Sequence, residues 1–340
     1  MPTDIPLSSL QFHNALPEAR QNGTWHVARF PEPVRHRLND RGRMISMDSC
    51  GAEIRFVCPG PAIRITLSSE SACDEVAIYR GPFEIMRRRL DQGTPTSILM
   101  ENPSGFNTPE PEILESGPFS SNVWRVVFGR GSYIFHRIET YGAEIRPPHA
   151  EETPSIKWLA YGSSITHSSL DGYPYHAARL LHWEVYGKGL SGACHAEASA
   201  AESLAELAAS TKVDIITAEL GVNMRSLYVK ETFTERAAYL IETVRAANPD
   251  TPLALITSFT NSQHYGRSRE NPFYTRQIEF DNALRKLVAD ANDPDLHLIE
   301  GTEILTDFTL LGADLIHPSC SGQAQMAQNL SERLKTLVKG

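Results

Sequence analysis

Short runs of alternating apolar and polar residues fill the chain from about residue 23 to residue 146. In the clearest run, 62–67, isoleucine or leucine at every second position alternates with arginine or threonine. Such alternation indicates strands with one buried face. Four further runs share it: 53–57, 75–79, 124–128 and 133–138. Glycine and proline turn signals separate the runs, so this half of the chain is predicted to form an antiparallel, jelly-roll-like β-sandwich.

A proline-rich, charged stretch at 146–154 follows the last of these runs. This composition is typical of a connector between two domains. We therefore predict two domains, at 1–150 and 151–340.

Beyond the connector, apolar strand candidates alternate with helical stretches. Leu204, Leu207 and Ala208 share one helix face, and Pro174 fits the first turn of a helix. The predicted strands lie at 156–161, 184–187, 213–220, 253–259 and 296–300, and the predicted helices at 174–182, 197–210, 233–248, 274–292 and 321–338. This alternation predicts a three-layer α/β domain with a five-stranded parallel sheet between helices. Ligands of such sheets bind at the carboxyl ends of the strands.

Four segments bring polar groups to that edge. Ser164 follows the first strand, where a distant histidine can reach its hydroxyl. The glycine-rich turn at Gly192 follows the second strand and can present a backbone N–H, and Asn223 follows the third and can donate its side-chain amide to an oxyanion. Asp314 and His317 lie three residues apart before the last helix, so the acid can orient the base.

Together these segments resemble, in order, the sequence blocks of the SGNH (GDSL-type) serine hydrolase and acyltransferase family, in its two-domain form with an N-terminal β-sandwich. The resemblance covers residues 155–338. It implies that Ser164 is the nucleophile, that His317 is the base and that Asp314 orients it. It also implies an oxyanion hole formed by Ser164, Gly192 and Asn223, and it implies no metal or organic cofactor.

The sequence departs from the family pattern at two positions. Ser163 stands where the family usually has aspartate, and Met224 stands where aspartate often follows the asparagine. Neither position is nucleophile, base or donor, so the implied chemistry is retained. The two changes predict a pocket that is less acidic than the family norm.

Further polar residues near these segments are candidates for substrate binding. His167 and His195 are close enough in sequence to be rival bases, but a turn or pocket-wall role is favoured. The loop at 261–272 is long for an α/β domain, which indicates a lid or acceptor-binding role, with a plain surface excursion as an equal alternative. The candidates are Ser163, His167, Met224, Arg225, Tyr228, His264 and Tyr265, with Lys230, Arg267 and Arg269 as further residues of the same loops.

Charge and composition limit the classes of binding partner and the compartment that we expect for this protein. The net charge is −9 and the basic cluster Arg87–Arg89 reads as a solvated strand end, so nucleic acid is not expected as a partner. No apolar run is long enough to span a membrane, and the first residues lack a signal peptide. Five cysteines without a Cys-x-x-Cys pair suit a reducing compartment. We therefore expect a cytoplasmic protein.

The sequence thus predicts a serine esterase that cleaves an acyl ester, with a short-chain acyl group on a carbohydrate or small molecule. An acyltransferase that moves the acyl group to a hydroxyl of a small-molecule or natural-product acceptor is the alternative. A non-catalytic carbohydrate-binding protein is the second alternative. The sandwich domain is expected to be accessory, either a scaffold or a carbohydrate-binding surface. The sequence does not decide between a monomer and a homo-oligomer.

Overall fold

The computed structural model describes residues 5–71, 74–266 and 271–338. The chain divides into two compact units. The first runs to Pro31 and includes Ser46–Ser155 and His182–Glu184; the second includes Glu32–Ile45, Ile156–Leu181 and the chain from Val185 onward. The predicted domains at 1–150 and 151–340 differ from this division chiefly at residues 32–45, which the sequence analysis assigned to the first domain.

Within the described residues, the first unit contains two antiparallel sheets of five strands each. Its strands are β1 (Gln11–His13), β2 (Leu16–Ala19), β3 (Trp25–Ala28), β4 (Glu53–Val57), β5 (Ala62–Ser69), β6 (Asp74–Arg80), β7 (Phe83–Leu90), β8 (Thr96–Glu101), β9 (Val123–Phe128) and β10 (Tyr133–Glu139). The sheet orders are β1-β4-β9-β6-β7 and β2-β3-β10-β5-β8.

The two sheets share one hydrophobic core. Ile54 and Val126, which pair across β4 and β9, meet Ile65 and Phe135 of the other sheet in this core. Ile54 and Phe56 of β4, and Ile63, Ile65 and Leu67 of β5, are alternate residues that face this core, as the period of two requires. The predicted sandwich and its five strand candidates are confirmed. Strand β8 was missed because the exposed Leu99 lies between buried Ile98 and Met100 and hides the alternation.

The second sheet system is parallel. Its strands are β11 (Lys157–Gly162), β12 (Glu184–Gly189), β13 (Ile215–Glu219), β14 (Leu253–Ile256) and β15 (Leu296–Ile299), in the spatial order β12-β11-β13-β14-β15. Every residue of β13 and β14 is buried, which explains why these segments read as continuous apolar runs. The predicted α/β class and the five-stranded parallel sheet are confirmed.

Helices occur in both units, and those that begin after Gly162 lie between or follow the strands of the parallel sheet. The helices are α1 (Glu32–Arg37), α2 (Asp40–Ile45), α3 (Pro111–Leu114), α4 (Ser164–His167), α5 (Tyr173–Leu181), α6 (Ala198–Thr211), α7 (Lys230–Ala247), α8 (Pro272–Ala291), α9 (Gly301–Ile304) and α10 (Cys320–Lys335). Helix α5 packs against α10, while α7 packs against both α6 and α8. Among the described residues, no helix is both long enough and apolar enough to cross a bilayer.

Candidate active site

The turn that carries Ser164 begins where β11 ends. Ser163 caps the short helix α4, and its Oγ accepts the backbone N–H of Ile165 at 3.2 Å. Ser164 is the first residue of α4 and is half-buried, whereas Ile165 and Thr166 are buried. The cap fixes the backbone around Ser164 and leaves its hydroxyl accessible.

Only glycine fits at position 162, just before this turn. A Cβ added to Gly162 would lie 2.2 Å from Thr166 Oγ1 and 2.8 Å from Glu219 Oε2. The turn is therefore pressed closely against the neighbouring strand β13, and this close approach requires the glycine.

Ser164, His317 and Asp314 form one hydrogen-bonded row. Ser164 Oγ lies 2.6 Å from His317 Nε2, and His317 Nδ1 lies 2.6 Å from Asp314 Oδ2. The other carboxylate oxygen of Asp314 accepts the backbone N–H groups of Ile316 at 3.0 Å and His317 at 2.9 Å. The spacing of three residues thus lets one carboxylate hold both the imidazole and its own loop.

The protonation of Asp314 determines the tautomer of His317. Burial by itself would raise the pKa of Asp314, but hydrogen bonds from the His317 side chain and from the backbone N–H groups of His317 and Ile316 lower it to about 2. Asp314 is therefore ionised near neutral pH and can only accept a hydrogen bond. Nδ1 of a neutral His317 must then carry the hydrogen, which leaves Nε2 free to accept the Ser164 hydroxyl proton.

Backbone contacts hold the loop that carries this acid and base. The N–H of Gly312 donates to the carbonyl of His317 at 2.7 Å, and the N–H of Ser262 donates to the carbonyl of Leu315 at 2.8 Å. Leu315 has a φ of 56°, in the left-handed region that leucine rarely adopts. The loop after β14 thus braces the loop that carries Asp314 and His317.

Asn223 has a defined amide orientation. Its Oδ1 accepts the backbone N–H of Cys194 at 3.2 Å, a role that only the oxygen of the amide can fill. The Nδ2 group of Asn223 is thereby left to donate elsewhere. The same contact links the loop after β13 to the loop after β12, in which Gly192 has a φ of 69°.

Glu219 is a functional candidate that the sequence analysis missed. It ends β13 and is 1% exposed, and its Oε2 accepts the backbone N–H of Ser163 at 2.7 Å and the Thr166 hydroxyl at 3.3 Å. Burial raises the pKa of Glu219, although hydrogen bonds from Ser163 and Thr166 oppose the shift. The available signal was an acidic residue at the end of an otherwise apolar strand.

Several predicted substrate-binding side chains are buried. Ser163, His167, Met224 and Arg225 all fall in this class. The Nη1 group of Arg225 donates to Asn261 Oδ1 at 3.3 Å and also to Gln277 Oε1. A buried side chain offers little surface to a substrate, so we do not carry these four forward as direct substrate contacts.

The other candidates lie nearer the surface, with one exception. Tyr228 and His264 are half-buried, Tyr265 is exposed and packs edge-on against Phe308 at 5.1 Å, and Lys230 is exposed. His195 is buried and stacks edge-on against Tyr228 at 5.4 Å. Burial also lowers the pKa of His195, with a contribution from Arg236. The candidates Arg267 and Arg269 lie outside the described residues.

Comparison with known proteins identifies a family to which part of the chain is similar. Residues 160–325 match the GDSL-like Lipase/Acylhydrolase family. No curated protein sequence is significantly similar to the chain. Among solved structures, a salicylyl-acyltransferase from a tetracycline biosynthetic pathway is 13% identical, with a TM-score of 0.76 over 97% of this chain and 96% of that chain.

Two further solved structures share the fold. A protein described as a GDSL-like lipase from Bacteroides ovatus is 18% identical, with a TM-score of 0.70 over 99% of this chain and 98% of its own. A family two carbohydrate esterase from Clostridium thermocellum, solved in complex with cellohexaose, is 14% identical, with a TM-score of 0.59 over 84% of this chain and 92% of its own. The family resemblance inferred from the sequence blocks is confirmed: residues 160–325 form a domain of the GDSL-like lipase/acylhydrolase family.

Proposed function

We propose that this protein is a serine esterase that cleaves an acyl ester through an acyl-enzyme on Ser164. The observation that carries the proposal is the row from Ser164 Oγ through His317 to Asp314, with 2.6 Å at each of its two contacts. A hydroxyl, an imidazole and a carboxylate in this order form the arrangement that activates a serine as a nucleophile.

Acylation follows from the tautomer assigned above. Ser164 Oγ attacks the acyl carbonyl while His317 Nε2 takes its proton, and the carbonyl oxygen becomes an oxyanion. Asp314 stabilises the imidazolium that results. As the tetrahedral intermediate collapses, the bond to the alcohol breaks and His317 returns its proton to the departing alcohol oxygen. The acyl group then remains on Ser164.

Deacylation repeats these steps with water. His317 takes a proton from the water as its oxygen attacks the acyl-enzyme, and the proton then returns to Ser164 Oγ as the free acid leaves. We assign the backbone N–H groups of Ser164 and Gly192 and the Nδ2 group of Asn223 to the oxyanion in both steps. The contact from Cys194 to Asn223 Oδ1 supports this assignment because it reserves Nδ2 for donation.

The substrate class that we propose is a short-chain acyl ester of a carbohydrate or small molecule. The solved neighbour from Clostridium thermocellum is a carbohydrate esterase, which supports an ester of this kind. The neighbour from the tetracycline pathway is an acyltransferase and supports the alternative, in which a small-molecule or natural-product hydroxyl replaces water. Tyr228, His264 and Tyr265 remain proposals for substrate contacts.

The test is a panel of p-nitrophenyl esters that runs from acetate to octanoate and includes aromatic acyl groups. We expect ester cleavage by the wild-type protein and its loss in Ser164→Ala at unchanged thermal stability. Equal rates for the two proteins would refute the catalytic proposal and favour a binding protein.

A second assay separates hydrolysis from transfer. The ester is turned over in the presence of polyols, sugars and aromatic alcohols, and mass spectrometry measures free acid against new ester. A transferase must position its acceptor well enough to outcompete about 55 molar water, a gain that positioning can supply. Free acid as the only product supports the esterase, whereas a dominant new ester at millimolar acceptor would establish transfer.

A further inference from the structure

Residues 32–45 form part of the catalytic unit, although they precede most of the sandwich in sequence. Asn39 fastens this segment to the loop that follows β12. Its backbone N–H donates to Glu197 Oε1 at 3.0 Å and its Nδ2 donates to Glu197 Oε2 at 2.9 Å. Asn39 Oδ1 accepts the N–H of Gly42 at 2.8 Å and so caps α2. The segment is thus attached to the loop by its own helix cap.

Arg41, in the first turn of α2, lies against Gly192. Its Nε donates to the carbonyl of Ser191 at 3.1 Å, and a Cβ added to Gly192 would lie 2.3 Å from that same nitrogen. The φ of 69° favours glycine at position 192, and the Arg41 guanidinium occupies the space in which a side chain would lie. The guanidinium consequently adjoins the residue to which we assign an oxyanion donor.

Arg41 differs from the other exposed arginines of this segment in its charge environment. Arg37 pairs with Glu202 at 2.8 Å, and Arg43 pairs with Asp40. Arg41 is exposed, and within the described part of the chain no carboxylate lies close enough to form an ion pair with it. Its Nε is anchored by Ser191, so the two terminal nitrogens keep their donors for a ligand. A guanidinium fork of this kind matches the two oxygens of a carboxylate.

We propose that Arg41 is a substrate-binding residue that recognises a carboxylate on the ester, so that the site selects anionic esters over neutral ones. The inference rests on the proposed function because it places Arg41 beside the oxyanion hole. The carboxylate is carried either by the acyl part or by the alcohol part of the ester. The shared chemistry is a carboxylate within reach of Gly192, and the experiment distinguishes the two sources.

The experiment uses two anionic esters, each with its neutral carboxamide counterpart. The p-nitrophenyl half-ester of glutaric acid carries the carboxylate on the acyl part, and 4-carboxyphenyl butyrate carries it on the alcohol part. Wild type, Arg41→Ala, Arg41→Lys and the matched control Arg43→Ala are compared. A charge-assisted pair of hydrogen bonds predicts that Arg41→Ala lowers kcat/KM for one of the anionic esters by about 10- to 100-fold, mainly through KM, and for its carboxamide by at most about threefold.

The control and conservative variants sharpen the result. Arg43→Ala is expected to leave the ratio of anionic to neutral ester unchanged, and Arg41→Lys is expected to retain part of the preference because it keeps the charge without the fork. The preference of the wild type should also weaken at high ionic strength. An equal loss on anionic and neutral esters would overturn the proposal and make Arg41 a support of the loop. Unchanged ratios in Arg41→Ala would overturn it as well.

A measurement of ligand binding tests the role of Arg41 independently of the catalytic proposal. In the Ser164→Ala background, calorimetry compares the anionic ester with its carboxamide, with and without Arg41→Ala. Tighter binding of the anion that requires Arg41 supports the inference even if the wild type cleaves no ester, which would refute the proposed function alone. Equal binding of both ligands would refute the inference regardless of activity.

Discussion

Replacing Glu219 tests whether a buried carboxyl group positions the nucleophile turn. Glu219 Oε2 accepts the backbone N–H of Ser163, the residue that caps the turn of Ser164. The variants Glu219→Leu and Glu219→Gln introduce side chains of similar size, of which leucine is apolar and glutamine is polar but uncharged. Leucine removes the acceptor, whereas the glutamine oxygen can still accept this N–H.

The contacts set the expected magnitudes. A buried N–H left without an acceptor costs about 1–3 kcal/mol, so Glu219→Leu should lower the Tm by about 2–4 °C for each kcal/mol in a unit of this size. The loss of the acceptor also frees the Ser163 backbone next to the nucleophile. A displacement of about 1 Å at a reacting group can cost about a hundredfold in rate, so we expect kcat to fall by about 10- to 100-fold with little change in KM.

Glu219→Gln is expected to behave differently with pH. Because burial raises the pKa of Glu219 above its ordinary value of 4.5, the wild type binds this proton more tightly when folded than when unfolded. The stability that this contributes is complete below about pH 4.5 and is lost as the pH rises through the folded pKa. The neutral glutamine has no such loss, so its Tm relative to wild type should increase as the pH rises.

Thermal melts across pH and steady-state kinetics on a p-nitrophenyl ester measure these effects. Near-native kcat in Glu219→Gln together with a reduced kcat in Glu219→Leu would support a positioning role through the Ser163 N–H. The reasoning would be refuted by wild-type kcat in the leucine variant. A difference in Tm between glutamine and wild type that does not change with pH would refute the charge argument.

Two further predictions concern other side chains. Asn223→Ala should lower turnover by about a hundred- to a thousandfold because the proposed oxyanion donor is lost, and it should lower the Tm by a few degrees because the Cys194 N–H loses its acceptor. A loss of only a few-fold in kcat would assign the asparagine to loop structure. Asp281 accepts the N–H of Ser258 at 2.9 Å, and burial raises its pKa from 3.8 to about 6. The wild type should therefore lose about 2 kcal/mol of stability between about pH 4 and pH 7, and urea unfolding of Asp281→Asn at both pH values should lack this loss.

The spacing of apolar residues predicted most of the strands and helices, because burial of one face of an element produces that spacing. Strands β13 and β14 of the parallel sheet are buried along their length, and the predicted alternation with helices matches the observed elements to within a few residues. The blocks at Ser164, Gly192, Asn223, Asp314 and His317 were found because each follows a strand or precedes a helix. Their roles in catalysis stay predictions until the variants are measured.

The contacts that surround these blocks were beyond the reach of the sequence. Residues 32–45 carry no chemical motif, and their attachment to Glu197 and Ser191 spans about 150 positions of sequence. Glu219 falls within the predicted strand at 213–220 and gave no separate signal, because one polar group at the end of an apolar run shows no periodicity. Strands as short as β1 and β2 likewise have too few residues to show an alternation.

The carboxyl groups of Asp314 and Glu219 both lie near the proposed base, and their different surroundings suit them to different roles. Asp314 lies in a surface loop, where three hydrogen bonds offset its desolvation and lower its pKa to about 2, so it can stabilise a developing imidazolium. Glu219 feels the charge of His317 but contacts the Ser163 N–H instead, and burial disfavours its charged form. A carboxyl group that resists ionisation is a poor partner for a cation but a stable acceptor for a backbone N–H. The core of the sheet therefore positions the proposed nucleophile, while a surface loop held by backbone bonds positions the proposed base.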